Sequence, residues 1–342
     1  MLDLVKLLNE FSVCIFWCKI SEIKDINDIQ YNFTSNGLLT QNEYLEIQKY
    51  KLLLDKKRCL ISRVLSRYCI SEYSGLDPSK VNIYRTHGKK PRWDISKGEL
   101  SKIPNHKHLI YSNTEEDMGT YLNFNISHDE EVVVVAISKY IVGIDIMKSC
   151  IPSRIINQVK ESSTNLKDIE IKGREKLFSN LHNVFDKSEW KYIDKDVKKF
   201  MDLWTLKECF VKCIGTGLQI EPKRLHLEIK KSENNFSETS VKKFDIYLDG
   251  LLQPCSIFNL NDIIDYSLSL CISSKSLVGK FGMINDTDNL ISKASPSNIN
   301  ISNIYIKQVH INNILDKYTK SLDTFTHNID STAKENSSST DY

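Results

Sequence analysis

Residues 140–150 read YIVGIDIMKSC, an apolar run with one carboxylate at its centre. Val142, Ile144 and Ile146 alternate with Gly143, Asp145 and Met147, and a period of two is the signature of a β-strand. One face is therefore core. The other face carries Gly143, Asp145 and Met147, where the glycine leaves room for a ligand to approach the backbone. Two readings fit this stretch by itself: an edge strand that shows one solvated aspartate, or a strand that offers its carboxylate to a ligand.

The neighbouring sequence is strand-rich. VVVVAIS at 132–138 is a β-branched run, and only residues 138–140 separate it from the 140–150 stretch, a spacing that predicts a hairpin between the two strands. NFNISHDE precedes them at 123–130, and VCIFWCKI at 13–20 reads as a first strand. Residues 41–74 show apolar residues at helical spacing, with Leu60, Val64 and Leu65 on one side and Arg58, Arg63 and Arg67 largely elsewhere. In the second half, 152–200 has broken helical patterning and FMDLWTLKECFVKCIGTGL at 200–218 is a helix ended by glycine. Strand-like runs follow at LHLEI, KFDIYL and YSLSLCIS. The order helix, strand, hairpin occurs once in each half and predicts an α+β fold of two similar subdomains, 1–138 and 139–283. Residues 95–120 read as a polar surface insertion. The stretch 284–342 is rich in Asn, Ser, Asp and Thr and reads as a poorly ordered tail, although NIYIKQVHINNIL is patterned enough to form an element of its own.

Bulk properties narrow the function. The 342 residues contain 46 Lys plus Arg against 44 Asp plus Glu, so no overall basic field argues for nucleic acid, and any anion site must be local. No apolar run reaches the roughly 18 to 20 residues of a membrane span. The N-terminal stretch is interrupted by Asp3, Lys6 and Glu10, unlike a signal-peptide core. The nine cysteines lack C-x-x-C spacing. Cys14/Cys18 and Cys209/Cys213 could make zinc only by converging, and buried or reduced thiols in a cytoplasmic protein are the simpler reading.

Several groups suit an anionic ligand. On the 200–214 helix, Leu203, Leu206, Phe210 and Ile214 form an apolar stripe, and Glu208 and Lys212 lie opposite it, four residues apart. That pair is either a solvated ion pair or, with Asp145, a carboxylate set for a divalent cation beside an ammonium for a phosphate or leaving oxygen. Arg85, Lys89, Lys90 and Arg92 crowd around Gly88 and Pro91, while Ser127 and His128 stand at a strand end where hydroxyl and imidazole can bind phosphate oxygens.

In this order the motifs resemble the 4′-phosphopantetheinyl transferases of the large two-lobed type. That family carries G-x-D-x-E and W-x-x-K-E-x-x-x-K elements, present here as Gly143-Ile-Asp145-Ile-Met147 and Trp204-Thr-Leu-Lys207-Glu208-Cys-Phe-Val-Lys212. The K-P loop is matched by Lys90-Pro91, F-N-x-S-H by Phe124 to His128, and F-x-x-x-E by FDKSE at 185–189. GIDIMK and the overall spacing look most like the eukaryotic members, including the enzyme that primes aminoadipate reductase in fungal lysine biosynthesis. The resemblance implies two α+β subdomains related by a pseudo-twofold, with the active site at their interface in a cytoplasmic monomer. It implies coenzyme A as donor and a serine of an apo carrier domain as acceptor. Asp145 and Glu208 would hold Mg²⁺, Glu208 would be the base, and Lys212 would meet the departing oxygen. Arg58, Arg85, Lys89, Lys90, Asn125, Ser127, His128 and Lys207 would bind coenzyme A. Met147 stands where the family has a third acid, and a thioether is a poor Mg²⁺ ligand. Asp129 is the nearby carboxylate expected to bind a water in its place. A second class of reading is a non-catalytic coenzyme A or carrier-domain binding protein.

Overall fold

The computed structural model describes residues 4–86, 90–95, 122–161, 165–217, 220–229, 241–273 and 304–318. The first half builds α1 (Leu4–Glu10), β1 (Val13–Lys19), α2 (Ile26–Ser35), α3 (Gln41–Gln48), the long α4 (Leu53–Ser74), β2 (Asn82–Arg85), β3 (Pro91–Asp94), β4 (Asn123–Asp129) and β5 (Val132–Ser138). The second half continues with β6 (Ile141–Lys148), α5 (Ser153–Lys160), α6 (Leu166–Asn180), α7 (Lys187–Ile193) and α8 (Val197–Ile214). It closes with β7 (Leu225–Ile229), β8 (Val241–Leu248), β9 (Leu251–Leu252), β10 (Ser256–Leu260), β11 (Tyr266–Ser273) and β12 (Ile304–Gln308). This is the expected α+β mixture. The polar stretch 95–120 lies, from residue 96 on, outside the described residues.

Strand alternation sorts the side chains into layers. β12, β1, β5 and β4 form one sheet, and β6, β11, β10, β8 and β7 form another, with β9 on β8. Val13, Ile15, Val132, Val134 and Ala136 face Val142, Ile144, Ile146, Leu268, Leu270 and Ile272 in a dry core between the sheets. The opposite face of the first sheet packs Cys14, Phe16, Val133 and Val135 against Leu60, Val64 and Leu65 of α4. On the second sheet the outer face meets Leu206, Phe210 and Ile214 of α8. Cys14 and Cys18 thus lie in one core and Cys209 and Cys213 in another, so the two pairs do not converge on a zinc ion.

The expected hairpin of β5 with β6 does not form. β5 already has β1 on one edge and β4 on the other, so no edge is left for β6, which pairs with β11 instead. The connection at residues 138–140 carries the chain from one sheet to the other. The expected tail is also partly built: β12 adds parallel to β1, and Ile311 and Ile314 bury against the α4 core. Cys18 Sγ–H donates to the Val309 carbonyl at 2.7 Å, and Glu22 accepts from the Ile311 N–H at 3.0 Å.

Gly143 leaves space, but helix α8 fills it. A Cβ at residue 143 would lie 2.1 Å from the Cys209 carbonyl oxygen and 2.3 Å from the Cys213 nitrogen, so the backbone of α8 crosses directly over the strand. The sequence reading gave this space to a ligand; the close helix–strand approach uses it. Gly143→Ala is expected to cost on the order of 3 kcal/mol by overpacking a backbone that has nowhere to move, read as a lowered midpoint in urea unfolding. A variant as stable as the parent would contradict the contact.

Lys207 also departs from expectation. It points away from the face that carries Glu208, is 1% exposed, and donates to Glu189 Oε2 at 2.8 Å, the Val184 carbonyl at 2.9 Å and the Pro222 carbonyl at 3.2 Å. Glu189 answers with its other oxygen, which accepts from the Leu227 N–H at 3.1 Å. Burial raises the Glu189 pKa and lowers that of Lys207, and the pair offsets both shifts. The W-x-x-K and F-x-x-x-E elements are therefore tied together as a buried internal brace. Lys207→Ala, which strands the glutamate, is expected to destabilise the protein by about 3–5 kcal/mol, measured by denaturant unfolding.

Candidate active site

Where the two sheets meet, β4 runs along the free edge of β6. Three side chains of β4 accept hydrogen bonds from backbone N–H groups of β6: Asn125 Oδ1 from Ile144 at 3.0 Å, Ser127 Oγ from Ile146 at 3.3 Å, and Asp129 Oδ2 from Lys148 at 2.8 Å. Ser127 does more. Its hydroxyl donates to Asp145 Oδ1 at 2.8 Å and accepts from Lys212 Nζ at 2.9 Å.

Asp145 projects from β6 toward α8, and Lys212 of that helix donates to Asp145 Oδ1 at 2.6 Å. Asp145 is 5% exposed, so this bond is a desolvated, charge-assisted one of the strong kind. Glu208 lies one helical turn before Lys212 on the same cavity wall. Burial raises its carboxyl pKa, the Asp145 charge raises it further, and Lys212 pulls it back. α8 holds these groups because its apolar stripe is committed to the second sheet and Gly143 lets its backbone come close. The helix ends at Gly215, whose φ of 81° is the left-handed cap that favours glycine.

All of this opens into one cavity of about 860 Å³. Arg58, Arg85, Lys90, Asn125, Ser127 and His128 line it from the first half, and Asp145, Glu208 and Lys212 from the second. The sequence-predicted set is thus brought together, except for Lys207 in its internal brace and Lys89, which lies outside the described residues. Two of the basic groups are also held by the protein. Lys90 donates to the Cys213 carbonyl at the end of α8 at 2.7 Å, and Arg58 Nε donates to the Glu130 carbonyl at 2.8 Å. Desolvation, with Lys212 and Arg58 nearby, lowers the pKa of His128, although its ring is exposed at the cavity.

The sequence reading missed part of the wall. Tyr50, Cys59, Ser62 and Arg63 line the cavity, the last three on α4. The signal was present as a polar stripe at helical spacing, with Arg58, Ser62 and Ser66 four apart. Arg63 pairs with Glu43 at 3.4 Å, and the same glutamate meets Arg67 at 2.7 Å. Arg67, expected away from the core, is 2% exposed and also donates to the Leu38 and Val81 carbonyls.

The donor chemistry fits a hard divalent cation. The Asp145 charge raises the pKa of Glu208, so added positive charge is favoured there, and the Ser127 hydroxyl bonds Asp145. Met147 lines the same cavity as a non-ligand, and Asp129 lines it with one oxygen already taken by the Lys148 N–H. Among the described residues, the group of three potential metal ligands whose ligand atoms lie within 4.8 Å of one another is Asp186, Glu189 and His226. Asp186 caps α7 and meets His226, and Glu189 holds Lys207, so internal bonds account for it.

Comparison with known proteins finds several relatives. The matched stretch is 29% identical over 211 residues to the L-aminoadipate-semialdehyde dehydrogenase-phosphopantetheinyl transferase of Mus musculus, covering 60% of this chain and 57% of that protein. A phosphopantetheinyl transferase of Thraustochytrium is 25% identical over 238 residues, covering 66% of this chain and 67% of its own. A 4′-phosphopantetheinyl transferase of Aneurinibacillus migulanus is 28% identical over 175 residues, covering 51% and 62%. The chain thus spans less than two thirds of the length of the mouse relative. A family profile described as 4′-phosphopantetheinyl transferase, N-terminal, matches residues 29–140, and one described as 4′-phosphopantetheinyl transferase superfamily matches 141–250. The two matches adjoin without a gap, and the chain belongs to the 4′-phosphopantetheinyl transferase superfamily.

Proposed function

We propose that this chain transfers the 4′-phosphopantetheine group of coenzyme A to a serine of an apo carrier domain and releases 3′,5′-ADP. The observation that carries the reading is the Asp145–Lys212–Ser127 contact with Glu208 beside it, at the junction of the two halves and facing a basic wall. Two acids and an ammonium in a cavity that arginines also line suit the breaking of a phosphoanhydride better than simple binding.

In this reading Arg58, Arg85, Lys90 and His128 hold the phosphates of the adenosine end. Glu208, one helical turn from Lys212 on the cavity wall, takes the proton of the carrier serine. The serine oxygen bonds to the phosphorus that bears pantetheine, and the bond from that phosphorus to the bridging oxygen breaks. Lys212 meets the charge that develops on the departing 3′,5′-ADP oxygen. Asp145 and Glu208 would hold Mg²⁺, which when bound would supply charge neutralisation. Asp145 also fixes the Lys212 ammonium, so the acid and the cation are placed as a unit.

We place the preferred acceptor among aminoadipate reductase-type carriers of lysine biosynthesis, with other acyl or peptidyl carriers as further acceptors. The printed names of several relatives support the first, and the plain transferase names of others support the wider range. Both cavity walls come from one chain, which suits a monomer. Nine free thiols suit a reducing, cytoplasmic setting.

The test incubates the protein with Mg²⁺, coenzyme A and a panel of apo carriers, and weighs each carrier by mass spectrometry. Addition of one phosphopantetheine is expected, and a chelator is expected to remove it. Glu208→Gln and Lys212→Ala are each expected to lower turnover by roughly 10²-fold or more. No mass gain on any carrier would contradict the proposal and favour a binding protein.

A further inference from the structure

We propose that Asn125, Ser127 and Asp129 of β4 are positioning residues, a side-chain ladder that holds β6 in register and so fixes where Asp145 stands for the transfer proposed above. The catalytic part of this inference rests on that reading of function; the ladder itself does not.

β6 is an edge strand. Among the described residues its backbone pairs with β11 on one side only, so the N–H groups of Ile144, Ile146 and Lys148, which face the other side, find no strand there to bond. Ile144 and Ile146 are buried, and an unmatched buried N–H is costly. The matches come from β4. Acceptors at 125, 127 and 129 meet donors at 144, 146 and 148, so every rung spans the same nineteen residues. Both strands advance by two at each rung, which is the spacing of side chains on one strand face. A slip of one residue would turn all three acceptors away from the edge and replace them by Phe124, Ile126 and His128. The ladder therefore specifies register between the halves in the way a backbone ladder does within a sheet.

The consequence for the site is direct. Asp145 lies between the first two rungs, and the middle one, Ser127, bonds both the Ile146 N–H and the Asp145 carboxylate. Asp129 is the outermost rung, beside Met147. Its Oδ2 serves the Lys148 amide at 2.8 Å. What Asp129 supplies is an acceptor oxygen in the right place, and its charge is incidental. This differs from the expectation that it holds a metal-bound water, for which the charge matters.

Asp129→Asn keeps an oxygen acceptor and removes the charge, whereas Asp129→Ala removes both. Both full-length variants are compared with the parent by amide hydrogen exchange across β6, by kcat and KM for coenzyme A, and by the Mg²⁺ concentration for half-maximal rate. For Asp129→Ala, exchange at the Lys148 amide is expected to rise by roughly tenfold. Its kcat is expected to fall about tenfold through misplacement of Asp145, with KM for coenzyme A unchanged. Asp129→Asn is expected to stay within about twofold of the parent in every measurement. If Asp129→Asn loses as much turnover as Asp129→Ala, needs more Mg²⁺ and keeps its Lys148 protection, the charge is what counts and the proposal is overturned. Should Asp129→Ala not fold, Asp129→Asn decides by the same criteria. If the parent transfers nothing, the proposed function fails, and the exchange comparison still decides whether the ladder exists.

Discussion

The backbone of α8 pressed onto Gly143 is the contact on which the rest of the site depends. It has no side chain to relax on one side and only helix backbone on the other, at 2.1 and 2.3 Å from the position a Cβ would take. Because the helix comes this near, a residue two further along the strand and residues one turn apart on the helix share a small volume. Asp145, Glu208 and Lys212 are those residues. Burial and the Asp145 charge then raise the pKa of Glu208 and make the site receptive to added positive charge.

The second constraint acts between the halves. Each sheet buries an apolar face against the other, but hydrophobic contact is non-directional and tolerates sliding. Directional bonds are supplied at the rim, where β4 side chains serve the β6 edge and Lys90 of the first half caps the end of α8. β12 adds a further tie, since chain that follows the second sheet returns to complete the first. Basic residues from one half and acids from the other thus face the same cavity.

Much of this was legible in the primary structure. Period-two alternation over 141–148 and the apolar stripe of α8 predicted which faces are buried, and motif order predicted the family and the group Ser127, His128, Asp145, Glu208 and Lys212 that lines the cavity. Three things were hidden for physical reasons. The Gly143 space was assigned to a ligand because a sequence shows that a side chain is missing but not what fills the gap. The β5–β6 hairpin failed because a short connection between strands says nothing about whether an edge is free. Lys207 and Arg67 look like surface cations by type, and only tertiary partners, Glu189 and Glu43, bring them inside.

The account's central claim is that Asp145 and Glu208 are held as one cation-binding pair by the approach of α8 to β6. Direct titration of the full-length protein with Mn²⁺ in place of Mg²⁺, followed by electron paramagnetic resonance with coenzyme A present, tests it most directly. The parent is expected to bind one ion, and Asp145→Ala and Glu208→Ala are each expected to weaken that binding by at least roughly tenfold. Undiminished binding of the ion by either variant would contradict the claim.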